Sequence, residues 1–412
     1  MTKIKPFRAV RPTRDKVHLV VSRSLHTYTK KELKHKLKGN PYSFVHVLLP
    51  DHFEEEPTEA HSRERLIKTR AKFEQFCKER VYKQDREPAF YIYQQTKNNE
   101  SSRGFIAAIS VEDHQSGHIK VHEETLTARE EKFKDYLKIC RINAEPVLLT
   151  YPDDLSIDLV MDRYMIERPE YEFSTADKTI HKLWVINRIE DIRLVTNAFN
   201  NIDDLYIADG HHRSASSALL SRENFTDNDR CDHFMAYFVP ESELRIYDFN
   251  RVVKDLNGLE LSELLEAIKE EFKITEIDGK KFKPSKEHEF GFYCEGKWFK
   301  LDYKGDVAAL SQQGPAADLD AQILSSAILE PILGIGDLKT DERVDFVDGV
   351  RGMKALKDKV DSGKYKAAFA LFPISVDRLK KLADAGGIMP PKSTWIEPKL
   401  RSGMTIYSFD DI

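Results

Sequence analysis

The stretch Asp204-Leu205-Tyr206-Ile207-Ala208-Asp209-Gly210-His211-His212-Arg213-Ser214 reads as an apolar strand that passes through a glycine turn into a helix, with Ser214 to Leu220 helical. Backbone N–H groups at such a helix start favour an anion by ~0.3–1 kcal/mol when exposed and up to ~2 when partly buried. Arg213 can hold a phosphate or carboxylate in a bidentate fork. His211 and His212 add donors that titrate near neutral pH. Asp209 can align a histidine, accept a proton or hold Mg²⁺. Ser214, Ser216 and Ser217 place hydroxyls in the first turn. The plainer alternative is that Asp209 caps the helix and the histidines are structural. Ordering so many polar groups after an apolar strand is costly without a ligand, however. Zinc is disfavoured, because adjacent histidines on a helix diverge and no cysteine lies nearby.

Outward from this stretch the chain alternates strands and helices. Lys182–Ile186 and Phe234–Val239 read as strands, with Glu190–Phe199 a helix between. Upstream, Val17–Val21, Phe44–Leu49, Tyr91–Tyr93, Phe105–Ile109 and Pro146–Leu149 read as strands. Helices are expected after capping boxes at Thr29–Glu32 and Thr127–Glu130, from Pro57-Thr58, and over Ile157–Tyr164. Downstream, a helix at Leu264–Phe272 precedes a hairpin turning at Glu295-Gly296. An apolar helix at Ile323–Leu333, a strand at Ala367–Phe372 and a helix at Val376–Ala385 follow.

Three further motifs carry chemistry. His122-Glu123-Glu124-Thr125 follows a strand-like segment; Glu123 is a candidate general base or metal ligand, or simply part of an acidic first turn. Met389-Pro390-Pro391-Lys392-Ser393-Thr394-Trp395 is stiffened by its prolines. Lys392, Ser393 and Thr394, with Lys399 beyond, offer donors to an anion; the alternative is a structural strap with Trp395 filling a core gap. Gly39-Asn40-Pro41-Tyr42-Ser43-Phe44 reads mainly as a turn.

With 412 residues, two or three units are expected. Lys plus Arg total 64 against 69 Asp plus Glu, so no basic excess is present to hold a polyanionic duplex, and nucleic acid is disfavoured as a partner. No apolar run approaches a membrane span, and the opening residues lack a signal-peptide core. The 4 cysteines are far apart and form no Cys-x-x-Cys pair, so a reducing cytoplasm is the expected setting. There is no Walker A loop, kinase-type glycine loop or Gly-x-Ser-x-Gly elbow.

Five motifs in order resemble one family: Pro6-Phe7-Arg8-Ala9, Asn40–Phe44, His122-Glu123-x-Thr125, Ala208–Arg213 and Met389–Thr394. The chain is identified as a member of the bacterial and archaeal domain-of-unknown-function family numbered ten-fifteen. Where relatives commonly carry Pro-Tyr-Asp, it reads Ser22–Tyr28, so that pair's role does not transfer. The Asp209–Arg213 signature is similar to that of free serine kinases of the ParB/sulfiredoxin-like fold. The resemblance implies a mixed α/β chain with a ParB/sulfiredoxin-like core around the strand-turn-helix at 204–220. The expected division is an N-terminal α/β region at 1–150, the core at 151–255, a smaller α/β domain at 256–376, and a C-terminal strap at 377–412 returning toward the site.

The implied activity is phosphotransfer on serine or phosphoserine, in either direction, or phosphoserine hydrolysis. Asp209, His211 and Glu123 are the catalytic candidates. Gly210, His212, Arg213, Ser214, Lys392, Ser393, Thr394, Lys399 and His122 are the candidates for phosphate or substrate. Asp209 is the candidate Mg²⁺ ligand, and a nucleotide or pyrophosphate is the expected donor or acceptor. Two other readings stand beside it: a nucleotide-dependent ParB-like switch, and a metal-dependent hydrolase or nuclease using His122, Glu123, His211 and His212.

Overall fold

A computed structural model describes residues 2–223, 229–279 and 281–412. The chain folds into two units. The first contains the chain up to Lys120, then Thr125–Leu244 and Pro398–Ile412; the second contains Val121–Glu124 and Arg245–Glu397. This division does not follow four successive segments. The position expected to end the first domain lies at the close of the strand Val147–Tyr151, inside the first unit's sheet.

Among the described residues, the first unit is built on a mixed sheet of 9 strands. Its path runs through Ile119–Lys120, Leu205–Asp209, Val147–Tyr151, His233–Pro240, Glu100–Ser110, Phe90–Lys97, Ile180–Ile186 and Tyr171–Ser174. Phe234–Val239 is unbroken in apolar residues because this strand is central and buried throughout. The helix Ile189–Asn200 buries Ile192, Val195 and Phe199 at helical spacing. Phe199 meets Phe105, Phe238 and Tyr151 at centroid distances of 5.2, 5.1 and 5.1 Å, an aromatic core behind the sheet.

Two expected strands are short helices. Val17–Val20 is helical: Val17 and Val20 are buried while His18 is exposed, a spacing of one turn rather than an alternation. Val45–Leu48 is helical because Asn40 starts a turn, accepting from Tyr42 N–H at 3.0 Å, and the chain then coils with His46 N–H on Ser43 O at 2.9 Å. The capping box at Thr29 and Glu32 forms as expected. The one at Thr127 does not: the helix Thr127–Cys140 starts without a side-chain cap, and Glu130 instead accepts from the Thr125 hydroxyl. The helix expected from Pro57-Thr58 begins at Arg63 behind the Ser62 cap, while Thr58 bonds Asp51.

The second unit carries a sheet of 7 strands among its described residues, all pairings antiparallel. The hairpin of Glu289–Cys294 and Lys297–Tyr303 turns at Glu295-Gly296 as expected, both residues at positive φ. Thr394–Glu397 adds a strand beside Arg245–Asp248. The apolar stretch expected as one helix splits into an α-helix, Asp320–Leu324, and a π-helical turn, Ser325–Leu329.

Candidate functional site

The strand Leu205–Asp209 does not run straight into its turn. Its register against Val147–Tyr151 slips between Ile207 and Asp209, a bulge that re-aims the last residue of the strand. Gly210 then adopts φ 105°, and the helix His211–Arg222 begins at the next residue. The N-cap residue of this helix, Gly210, has no side chain with which to cap it. Asp209 is left 40% exposed at the mouth of the turn.

Arg213 folds back beneath Gly210. Its Nη1 donates to Pro146 O at 2.7 Å and lies 3.4 Å from Glu145, while Nη2 is 3.6 Å from Asp209. A Cβ on Gly210 would fall 2.9 Å from both Nε and Nη2, so this residue must be glycine for two reasons, its φ and the guanidinium. The fork expected to grip an oxyanion thus has one branch committed to Pro146, and Arg213 braces the turn against the start of the neighbouring strand. Lys399 reaches Asp209 at 3.5 Å from the C-terminal segment. Arg213 and Lys399 thus face Glu145 and Asp209 around the turn, beside the positive end of the helix.

His211 is buried, and the Ser214 hydroxyl donates to its carbonyl at 2.9 Å. Ser214 is fully buried, so its expected role as a phosphate donor is corrected to one inside the helix. Ser216 and Ser217 likewise bond back to His212 O and Arg213 O. Burial, then the charge of Arg129, pushes His212 below the usual histidine range. Its Nδ1 has no hydrogen-bond partner among the described residues.

Several supports were not legible as site residues. Glu145 accepts from the Ser402 hydroxyl with its other oxygen, tying the turn to the C-terminal segment. Ser402 also bridges Ser22 through paired backbone bonds of 3.2 and 2.9 Å. Ser22 is thus two hydrogen-bonded steps from Glu145. Arg401, almost fully buried, donates to Asp177 at 2.7 Å. Asp177 is linked through Thr175 to His181, which also bonds Tyr93 OH at 2.8 Å. Burial, with the charge of Arg401, pushes fully buried His181 down to about 3. A charged Arg-Ser-Gly after a proline-rich segment is a faint signal, visible only once its partners are known.

The remaining candidates belong to the second unit. His122 is fully buried and its carbonyl accepts from Met389 N–H at 2.9 Å, which joins the His-Glu and Met-Pro-Pro motifs. Glu123 is exposed. Lys392, exposed at φ 58°, sets its ammonium over the Phe249 ring. The Ser393 hydroxyl donates to Pro390 O at 2.7 Å, and Thr394 pairs with Asp248 across the strands. All 4 cysteines are free, and no helix of the described residues is long and apolar enough to cross a membrane.

Among solved structures, a free serine kinase in complex with AMP is similar at 15% identity and a TM-score of 0.37, over 73% of this chain and 91% of its own. A conserved hypothetical protein from Pyrococcus furiosus is similar at 16% identity and a TM-score of 0.36, over 74% and 95%. SbnI from Staphylococcus aureus, truncated at its C-terminus, gives 11% and 0.36, over 71% and 82%. No curated protein matches the chain. The family described as "Protein of unknown function (DUF1015)" matches residues 4–322, most of the 412 residues, and the chain belongs to that family.

Proposed function

We propose that the first unit is a small-molecule phosphotransferase, acting on serine or phosphoserine, with the strand-turn-helix at Asp209–Arg213 as its phosphate site. The observation that carries this reading is the helix that starts behind a glycine at φ 105°, with the Asp209 side chain 40% exposed at the mouth of the turn. Phosphoryl transfer asks for positioning and charge neutralisation more than covalent chemistry, which suits a site of this composition. The choice of serine rests on the similarity of the Asp-Gly-His-His-Arg signature to that of free serine kinases.

In this reading the helix N–H groups and His212 hold the phosphate, and Lys399 adds a nearby positive charge. Asp209 either takes the proton of the attacking hydroxyl or holds Mg²⁺. Arg213 acts as a positioning residue, because its contacts to Pro146 and Glu145 fix where the helix starts. The charge balance gives a reason to expect a cation: a phosphate dianion added to a neutral cluster needs compensation. A single exposed carboxylate fits Mg²⁺, which commonly takes one or two carboxylates and the substrate's own phosphate oxygens. Asp209 would hold it, and the ion would neutralise charge on the transferring group.

The test incubates purified protein and Mg²⁺ with serine, phosphoserine, nucleotides and pyrophosphate in pairs, alongside Asp209→Asn. We expect transfer in one pair, lowered by about 10²–10⁴-fold in the variant. Absence of transfer in every pair, or full activity without the Asp209 carboxylate, would overturn the reading.

A further inference from the structure

The helix Leu155–Met165 of the first unit takes no part in the phosphotransfer reading, and its outer face is apolar where a surface helix is ordinarily polar. Ile157, Val160, Met161 and Tyr164 turn into the core. On the opposite side Leu155 is 75% exposed and Leu159 57%. Ile166 continues the helical course at φ −71° and ψ −29° and is 86% exposed. With Asp162 between them, these positions step by four, three and four residues, the spacing of a seam between two helices. Ile189 opens the next helix, Ile189–Asn200, and is 52% exposed. It extends the face, since Glu167 and Arg188, chain neighbours of Ile166 and Ile189, pair at 3.6 Å.

An exposed apolar stripe calls for a cover, and the charges beside it point to one. Asp158 lies on one flank of the stripe and Arg163 on the other, by their places on the helix. Asp158 is 3.4 Å from Arg103, a guanidinium it shares with Asp162 and Glu243. Burial raises the Asp158 carboxyl; Arg103 pulls it back, and Asp153, Asp162 and Asp154 push it up again. A further cation beside Asp158 is therefore favoured. Arg163 has a side chain 49% exposed, and it reaches Asp191 through Nη2 at 3.0 Å, which leaves the rest of its fork to the outside.

We propose that this face pairs with a second copy of the chain about a two-fold axis running along the stripe, so that the two helices lie parallel. Leu155 then meets the partner's Leu155 and Leu159 the partner's Leu159, and each Asp158 faces the partner's Arg163 across the seam. An antiparallel pair would lay acid flank along acid flank. Asp162, bonded to Arg103 of its own chain, is the polar member of the seam, and such a residue fixes register at a cost in stability. A seam this short, ~18 Å at 1.5 Å per residue, makes a reversible pair rather than an obligate one. The proposal does not rest on the phosphotransfer reading, because none of these residues belongs to the turn at Asp209–Arg213.

The test is sedimentation equilibrium of the full chain over about 1–100 µM, with far-ultraviolet circular dichroism as the check on fold. The parent should sediment as two copies at the upper end and dissociate on dilution. Leu159→Glu and Ile166→Glu, both at exposed positions, should keep the spectrum and weaken pairing by about 10–100-fold. Asp162→Leu should tighten it. Asp158→Arg and Arg163→Glu should each pair poorly alone and pair with one another when mixed, since the mixed pair regains both opposite-charge contacts. A single-copy mass at every concentration overturns the proposal. So does a pair that Leu159→Glu and Ile166→Glu leave intact, which places the contact elsewhere, or charge variants that pair no better mixed than alone. A single-copy chain that floats with phosphatidylcholine vesicles, and stops doing so in Leu159→Glu, gives the face to lipid and overturns it as well.

Discussion

Gly210→Ala separates two costs that the structure predicts at one position. The first is conformational. Gly210 sits at φ 105° and ψ 29°, where a residue with a Cβ pays roughly 1–2 kcal/mol. The second is steric and acts through Arg213. The new Cβ would lie 2.9 Å from Nε and Nη2, so the guanidinium must withdraw. Withdrawal breaks the 2.7 Å bond to Pro146 O, a charge-assisted bond of about 1.5–3 kcal/mol. The single variant should therefore lose about 2.5–5 kcal/mol by these two figures. A double-mutant cycle with Arg213→Met apportions the loss. Where no guanidinium is present to displace, Gly210→Ala should cost only its backbone share, giving a coupling of about 1.5–3 kcal/mol. Urea unfolding of the four proteins, followed by far-ultraviolet circular dichroism, measures each step. If the two changes add to within about 0.5 kcal/mol, the packing of Arg213 under the turn does not govern Gly210, and the brace is refuted.

Glu145→Gln should cost about 1 kcal/mol, because the ion pair with Arg213 is only partly shielded, and should slow phosphotransfer by loosening the turn; unchanged stability and rate would remove Glu145 from the support. Gly403→Ala should lose about 2–4 kcal/mol in urea unfolding, since Gly403 has φ 78° and its Cβ would meet the Phe44 ring at 2.6 Å. For pH, His181 is held neutral in the fold, pushed down to about 3, whereas the unfolded chain protonates it near 6.5. Its contribution is present above pH 6.5 and is lost as pH falls from 6.5 toward 3, by at most about 5 kcal/mol. His181→Phe should flatten the stability profile in that window, and an unaltered slope would contradict the assignment. Burial pushes the Cys77 thiol up to about 12, so iodoacetamide at pH 7.5 should label it far more slowly in the native protein than in urea.

The sequence was most readable where local chemistry and tertiary packing agree. The run Phe234–Val239 could be little other than a buried strand, and the apolar-strand-to-glycine pattern at 205–210 placed the turn. It failed at Val17–Val20 and Val45–Leu48, where four-residue helices are too short to show a period and β-branched residues point the wrong way. There the chain is coiled by Thr13 O accepting from Val17 N–H and by the Asn40 turn, which composition does not reveal. The turn's own residues were legible as a group, but their individual roles were not. Arg213 looks like a ligand from sequence because arginine beside glycine and histidine suggests an oxyanion. Its partners Glu145 and Pro146 are remote in the chain, and only the pairing of Leu205–Asp209 with Val147–Tyr151 brings them beneath it.

The same reasoning explains why the segment from Pro398 to Gly403 meets the turn. Local sequence builds a strand, a bulge and a helix behind a glycine N-cap, which together set an acid beside a positive helix end. Lys399 answers Asp209, Ser402 answers Glu145, and Arg401 between them in the chain is tied to Asp177. These contacts come from one extended segment in which each side chain meets a different part of the unit. A burial-rich, satisfied anchor at Arg401 beside a half-exposed pair at Lys399 and Asp209 divides the labour physically. The first is held by burial and a 2.7 Å bond to Asp177; the second leaves its charges partly open to solvent.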